Sequence, residues 1–497
     1  MYSFIISIIV LLCGYLLYGR LTEKIFGPDD RETPAYAIND GVDCVPIKTW
    51  KALLIQLLNI AGTGPIFGAL MGACFGPVVF LWIVFGSILG GAVHDYMSGM
   101  ISERHEGQSI AQLSGIYMGR PVLYVMRVFA VVLLVLTGTV FVTSPAALLS
   151  KLTPDALSNG FWIVVILIYY VLATLLPIDK VIGRLYPVFG VILIIMAVSV
   201  TGGIMLIPDY TIPEMTLKDL HPANLPVWPF MFITVACGAI SGFHSTQSPM
   251  MAKCITTEKA GRKVFYGAMI IESVIALVWA AAGAAFYGST QMLYDAISGL
   301  GQSGVVYEIS HEILGGIGGV LAVIGVVVCP ITSGDTAFRS ARLILAEWTG
   351  LDQVKISNRL KLTIPMLGIA ALLTQMDFNV LWRYFSWSNQ TLAMIALWVA
   401  TSYLVHKGRY MWGSLLTALP AAFMTAVTVT YILMADEGFR LSAAAAYPAG
   451  IIAAIFLFAV YVTQVQQWRM AGPEFRDNWR MIKQPHRKDK GETDGQK

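Results

Sequence analysis

Asn59-Ile-Ala-Gly-Thr-Gly-Pro65 interrupts one long apolar run of this chain, and Gly238-Ala-Ile-Ser-Gly-Phe-His-Ser-Thr-Gln-Ser-Pro249 interrupts another. Inside a hydrocarbon layer the backbone has no water to bond. A cluster of Gly, Pro and hydroxyl residues in mid-span therefore signals a discontinuous helix that lines a protein cavity rather than facing lipid. The alternative, glycines and prolines that only permit close packing or a kink, suits one such segment well and a pair at matching positions poorly. Working outward, the two runs are the second and seventh of thirteen predicted apolar spans: 2–18, 52–70, 75–100, 121–149, 160–177, 186–206, 227–248, 264–287, 313–344, 360–375, 380–405, 410–434 and 443–464. Such runs match the roughly 20 helical residues that cross a hydrocarbon core of about 30 Å. A separation of five spans is odd, so the interrupted helices cross in opposite directions, as two five-helix repeats inverted about an in-plane axis require.

The spacing thus predicts an all-α polytopic membrane protein. An extra N-terminal helix over 1–20 and a linker over 21–50 precede repeat 1 (51–206) and repeat 2 (227–405); two appended helices (410–464) and a polar tail (465–497) follow. Composition agrees, because 56% of the residues are hydrophobic and 13% charged, whereas soluble domains carry about a quarter charged residues. A net charge of +3 gives no reason to expect a nucleic-acid partner. The six cysteines show neither a disulfide-framework spacing nor a Cys-x-x-Cys pair and read as small apolar side chains. The first run lacks a basic n-region and an Ala-x-Ala cleavage site, is followed by Arg20, and reads as a retained helix. With the N-terminus outside, twenty-eight of the 33 Lys and Arg residues fall on the cytoplasmic side and three outside. Discounting the eight beyond Gln464 leaves 28 − 8 = 20, still a strong positive-inside bias. The tail is assigned no function.

The two interruptions are the expected binding site. Freed amides and the positive end of a half-helix hold an anionic group, and unwound carbonyls hold a cation, near the bilayer midplane. The candidate substrate-binding residues are Asn59, Gly62, Thr63 and Gly64 on one segment and Ser241, Gly242, His244 and Ser245 on the other, with Asn389 on the eleventh span. A third polar cluster, Cys329-Pro-Ile-Thr-Ser-Gly-Asp335, reads as another break whose hydroxyls supply hard oxygen ligands, although such hydroxyls often only bond their own helix. Ionisable groups at bilayer depth cost at least about 2.5 to 3.5 kcal/mol and so mark pairing, water access or transport. His94 and Asp95 could take up a proton, or could instead cap a helix near the cytoplasmic boundary or pair with Arg104. His244, within a break, is the stronger proton candidate, and Asp335 is a proton-carrying or structural group. Glu272 and Arg383 read as interfacial residues near the outer ends of their spans.

Asn39-Asp-Gly-Val-Asp-Cys-Val-Pro46, Ile60-Ala-Gly-Thr-Gly-Pro65, Gly90-Gly-Ala-Val-His-Asp95 and Ala236-Cys-Gly-Ala-Ile-Ser-Gly-Phe-His244, in this order, resemble the carbon starvation protein A (CstA) family. The resemblance implies a bacterial inner-membrane carrier with the inverted-repeat fold of amino-acid transporters, importing peptides or pyruvate, with an amino acid as another expected cargo. In amino-acid transporters of this repeat a Thr-Ser pair on the corresponding helix helps hold sodium. The likeness therefore implies a sodium site at Thr332 and Ser333, completed by carbonyls near Ala61 to Gly64. No other cofactor is expected. Sodium and proton are the alternative coupling ions, and Gln56, where proton-coupled relatives carry histidine, tilts the expectation towards sodium. A rival intramembrane hydrolase would use Ser241, His244 and Asp95, but no nucleophile motif accompanies them, so no catalytic residue is assigned.

Overall fold

A computed structural model describes residues 1–41, 44–175, 178–353, 355–408 and 411–471. The expected tail beyond 471 and two residues of the linker, 42 and 43, lie outside the described residues. In chain order the main helices are α1 (Tyr2–Phe26), α2 (Thr49–Ile60), α3 (Gly64–Ala73), α4 (Val79–Arg104), α5 (Arg120–Leu152), α6 (Asn159–Leu175), α7 (Ile178–Leu206), α8 (Gly242–Ala252), α9 (Glu258–Tyr287), α10 (Cys329–Thr349), α11 (Ile356–Leu373), α12 (Phe378–Lys407), α13 (Leu415–Met434) and α14 (Ala443–Met470). Among the described residues nine helices are long and apolar enough to cross a membrane, and the bent pair α2 and α3 makes a tenth candidate. The sequence-based count of thirteen also included α6, which has 17 residues, the polar-rich α12, and the interrupted stretch that ends in α8.

Both predicted interruptions are present. The helix of α2 ends at Ile60 and restarts as α3 at Gly64 with a 53° bend. The other chain is helical up to Thr234, extended or bent over 235–241, and helical again from Gly242. The third predicted break is not one. Cys329 to Asp335 lie inside α10, which continues from a π-helical turn at Ile324–Val328. That wider turn lies just ahead of Pro330, whose missing N–H would otherwise leave a gap in the ladder, so the helix passes through. The span itself begins after Gly315, where φ is +62° and the chain turns, rather than at 313. Arg339 and Arg342, counted with the cytoplasmic charges in the sequence reading, are buried in α10.

Packing sorts the helices into two bodies. The broken helices α2–α3 and α8 pack with α4 and α9, which follow each of them in sequence; α5 and α6 pack with α10 and α11. The first and second helices of each half thus form one body and the third and fourth the other. The fifth helices act alike and touch both bodies: α7 lies against α2, α9 and the π turn ahead of α10, and α12 against α4, α8 and α5. This exchange of equivalents is the packing signature of an inverted five-plus-five repeat. The flanking α1 leans on α4 and α9, with Gly14 set against Ile88 and Gly19 against Tyr266.

Close backbone approach holds the broken elements together. A Cβ at Gly242 would lie 2.3 Å from the Asn389 carbonyl oxygen and 2.6 Å from the Ala393 amide nitrogen, both backbone atoms of α12 that cannot swing aside. Gly242→Ala is therefore expected to destabilise the protein by roughly 1–3 kcal/mol, the usual range for overpacking. Gly202→Ala, where an added Cβ meets nothing within 4 Å, should leave stability unchanged or slightly raised. Thermal unfolding of the two detergent-purified variants against the parent checks this contrast.

Candidate functional site

An unwound segment inside an apolar bundle exposes amides and carbonyls that must find partners. For 235–241 two adjacent side chains of α12 supply them. Asn389 donates from Nδ2 to the Ala236 carbonyl at 2.6 Å, and its Oδ1 accepts from the Phe243 amide at 2.7 Å and from the Ser241 hydroxyl at 3.2 Å. Gln390 donates to the carbonyls of Phe232 and Val235, each at 3.3 Å. Asn389, expected to contact substrate, thus holds the break open, and Gln390 beside it escaped the sequence reading.

The two interruptions meet. A Cβ on Gly64 would fall 2.3 Å from the Cys237 sulfur, and one on Gly238 would fall 3.9 Å from the Cα of Pro65. Gly62 faces the ring of Phe141 on α5, an unforeseen wall of the site. The Asn59 Oδ1 and the Thr63 hydroxyl flank the first break, buried and without a protein partner. Ser245 bonds back to the Gly242 carbonyl, and Gln56 reaches the Ser248 hydroxyl of α8.

Next to this junction sits a chain of titratable groups. Asp95 Oδ1 is 2.9 Å from His94 Nδ1, Asp95 Oδ2 is 2.8 Å from His244 Nδ1, and His244 Nε2 is 3.4 Å from Glu272 Oε2. All four side chains are fully buried. His94 and Asp95 therefore do not cap a boundary, and Arg104 pairs with Glu258 instead, at 2.7 Å. Glu272 is not interfacial either. It lies 272 − 258 = 14 residues from one end of α9 and 287 − 272 = 15 from the other. That central position was the available signal, hidden because the span was started at 264. Arg383 does reach the surface, paired with Glu437. His94 and Asp95 lie in the first α-helical turn after the π-helical stretch Trp82–Gly91, where Ser87 accepts from Ser273 of α9 at 2.6 Å. The wider turn rotates the following residues towards α8 and α9.

The remaining candidates lie apart from this chain. Thr332 donates to the Cys329 carbonyl at 2.7 Å; Ser333 donates to the same carbonyl and to Leu58 of α2, each at 3.0 Å. Ser333 thus touches the helix just before Ala61, while Thr332 bonds its own helix. Asp335 pairs with Arg339 one turn on, at 3.4 Å. Ser241 bonds Asn389 rather than His244, so the Ser–His contact required of a hydrolase is missing from this geometry.

One end of the bundle is closed by charge. Arg104 also bonds Tyr403 and the Gly27 carbonyl, Arg31 approaches Glu258 at 3.3 Å, and Lys407 donates to the Phe26 carbonyl. The Arg31 guanidinium beside Asp29 holds that carboxyl below the usual carboxylate range.

The family model described as Carbon starvation protein CstA matches residues 1–158, 125–299 and 295–431. An uncharacterized membrane protein of Haemophilus influenzae is 44% identical over 347 residues, covering 59% of this chain and 94% of its own. The Bacillus subtilis peptide transporter CstA is 26% identical over 583 residues, covering 93% of this chain and 96% of its own. The Escherichia coli pyruvate/proton symporter BtsT is 26% identical over 351 residues, covering 55% of this chain and 47% of its own. The fold is similar to that of MhsT in its complex with L-phenylalanine, at a TM-score of 0.53 and 13% identity, covering 85% of this chain and 99% of that one.

Removing the side chain that satisfies the break has a defined consequence. Asn389→Ala leaves the Ala236 carbonyl and the Phe243 amide unpaired, each at a cost of roughly 1–3 kcal/mol. The variant should melt markedly lower and lose substrate-dependent stabilisation. Thr391→Ala, which removes only a hydroxyl bonded to its own helix, should do neither.

Proposed function

We propose that this chain, which belongs to the carbon starvation protein CstA family, imports a small carboxylate-bearing nutrient across the bacterial inner membrane in symport with protons. It is a secondary transporter and not an enzyme. The observation that carries the choice of ion is the buried imidazole of His244 held between the carboxylates of Asp95 and Glu272 at the edge of the unwound segment. Two carboxylates at bilayer depth demand a neutralising cation, and a proton shared with an imidazole between them supplies one. The name of one relative, a pyruvate/proton symporter, supports the same ion.

The cargo's carboxylate would lie where α3 and α8 begin, at Gly64 and Gly242. Each half-helix presents its positive dipole end there. Asn59 and Thr63 offer unpartnered polar atoms for the rest of the molecule. A peptide C-terminus, pyruvate and an amino acid all carry the required anion. The names of the relatives favour the first two. Access alternates as the body of α2–α4, α8 and α9 rocks against that of α5, α6, α10 and α11. The end closed by Arg104 and Glu258 is assigned to the cytoplasm from the Lys and Arg bias, with the N-terminus outside.

Sodium remains the second reading, because Ser333 bridges α10 to the carbonyl of Leu58. Purified protein in liposomes separates the two. Uptake of labelled pyruvate, amino acids or di- and tripeptides should follow an inward proton gradient, and Asp95→Asn and Glu272→Gln should each cut it at least about tenfold, equivalent to ~1.4 kcal/mol. Uptake that ignores the pH gradient, follows sodium and falls with Ser333→Ala would replace the proton by sodium.

A further inference from the structure

Cys237 has no task in proton coupling, yet its sulfur lies in the same buried pocket. We propose that Cys237, His244 and Glu272 form a binding site for one divalent transition-metal ion of the zinc class. The site shares His244 and Glu272 with the proposed proton coupling, and the two are tested separately.

Three side chains of metal-ligating type converge on one point. One donor atom from each residue lies within 4.8 Å of the others, and all three side chains are buried. The 3.4 Å between His244 Nε2 and Glu272 Oε2 matches the edge of a tetrahedron, about 3.3–3.7 Å for zinc bonds of about 2.0–2.3 Å. These donors are free to bind, since His244 Nε2 and both Glu272 carboxylate oxygens are buried without a hydrogen-bond partner. Three unsatisfied polar atoms converging in an apolar bundle call for an occupant.

The surroundings suit a metal more closely than they suit water. His244 uses Nδ1 to bond Asp95 at 2.8 Å, which fixes the tautomer and directs the Nε2 lone pair into the pocket. That is the carboxylate–histidine–metal arrangement. Asn389 Nδ2 donates to the Cys237 sulfur at 3.6 Å, so a donor is in place to stabilise a thiolate. Its position is fixed by Gly64, whose lack of a Cβ leaves room for the sulfur. A thiolate and the Glu272 carboxylate balance the charge of the divalent ion itself, at a depth where unpaired charge is costly. Sulfur, imidazole and carboxylate together select zinc, cobalt or a similar ion over sodium, magnesium or calcium.

Cobalt(II) serves as the probe, because sulfur ligation gives it an ultraviolet charge-transfer band. The protein is purified in detergent, in its full-length form and in a form with Ser at Cys13, Cys44, Cys74, Cys254 and Cys329. Both should bind one equivalent with that band, and zinc should displace it. Cys237→Ser should abolish the band, and Glu272→Gln should weaken binding at least tenfold, with melting curves recorded to confirm folding. No band in the form that keeps Cys237 alone, or an undiminished band in Cys237→Ser, would overturn the site. If Cys237→Ser does not fold, the form that keeps Cys237 alone decides. Proton-driven uptake by a protein that shows no band removes the metal site only. A band on a protein whose uptake ignores protons removes the coupling assignment only.

Discussion

The structure depends on how the unwound backbone at 235–241 is satisfied. A stretch of extended chain within a helical bundle is costly unless each buried carbonyl and amide finds a partner. The carboxamide of Asn389 is suited to this, because it donates to the Ala236 carbonyl with one end and accepts from the Phe243 amide with the other. Gln390 takes the two carbonyls before it. With the segment pinned to α12, Ser241 becomes the residue from which α8 starts, Cys237 is pressed against Gly64, and His244 is turned towards Asp95 and Glu272. The junction of the two broken helices and the buried acid–base chain are consequences of one side-chain contact pattern.

That pattern also explains which parts were legible in the sequence. The two breaks were readable because glycine, proline and hydroxyl residues at mid-span have a direct backbone meaning, and their odd spacing carried the inverted repeat. The contact between Asp95 and His244 was not, because it joins residues 149 positions apart that local pattern does not connect. Glu272 was misjudged by a boundary error: α9 begins at Glu258, and the six residues added to the predicted span move the carboxylate from the edge to the middle. The cluster at 329–335 misled in the other direction. Its residue types match those of a true break, yet a π turn at Ile324–Val328 absorbs the proline and the hydroxyls bond carbonyls of α10 and α2. Cys237 was dismissed as a small apolar residue because its partners lie 7 and 35 positions away on the chain, at His244 and Glu272.

The helices that pack together are equivalent members of the two halves, so the molecule has a natural plane of slip between its two bodies. The two breaks, Asp95, His244 and Glu272 all belong to the body of α2–α4, α8 and α9, whereas Phe141 and Ser333 approach the first break from the other. The contacts across the plane include the Phe141 ring against Gly62 and Phe243, the Ser333 hydroxyl against the Leu58 carbonyl, and Gln247 donating to the Ser340 hydroxyl at 3.4 Å. An interface of this kind can shift without breaking the packing on either side.

The first helix acquires a particular status from its contacts. It leans on α4 and α9 and makes no substantial contact with α5, α6, α10 or α11 among the described residues. Only 28% of its most apolar window is covered by protein. In the proposed rocking it would travel as a passenger with one body and sweep through lipid, so membrane viscosity and acyl-chain order would bear on turnover through a helix remote from the two breaks.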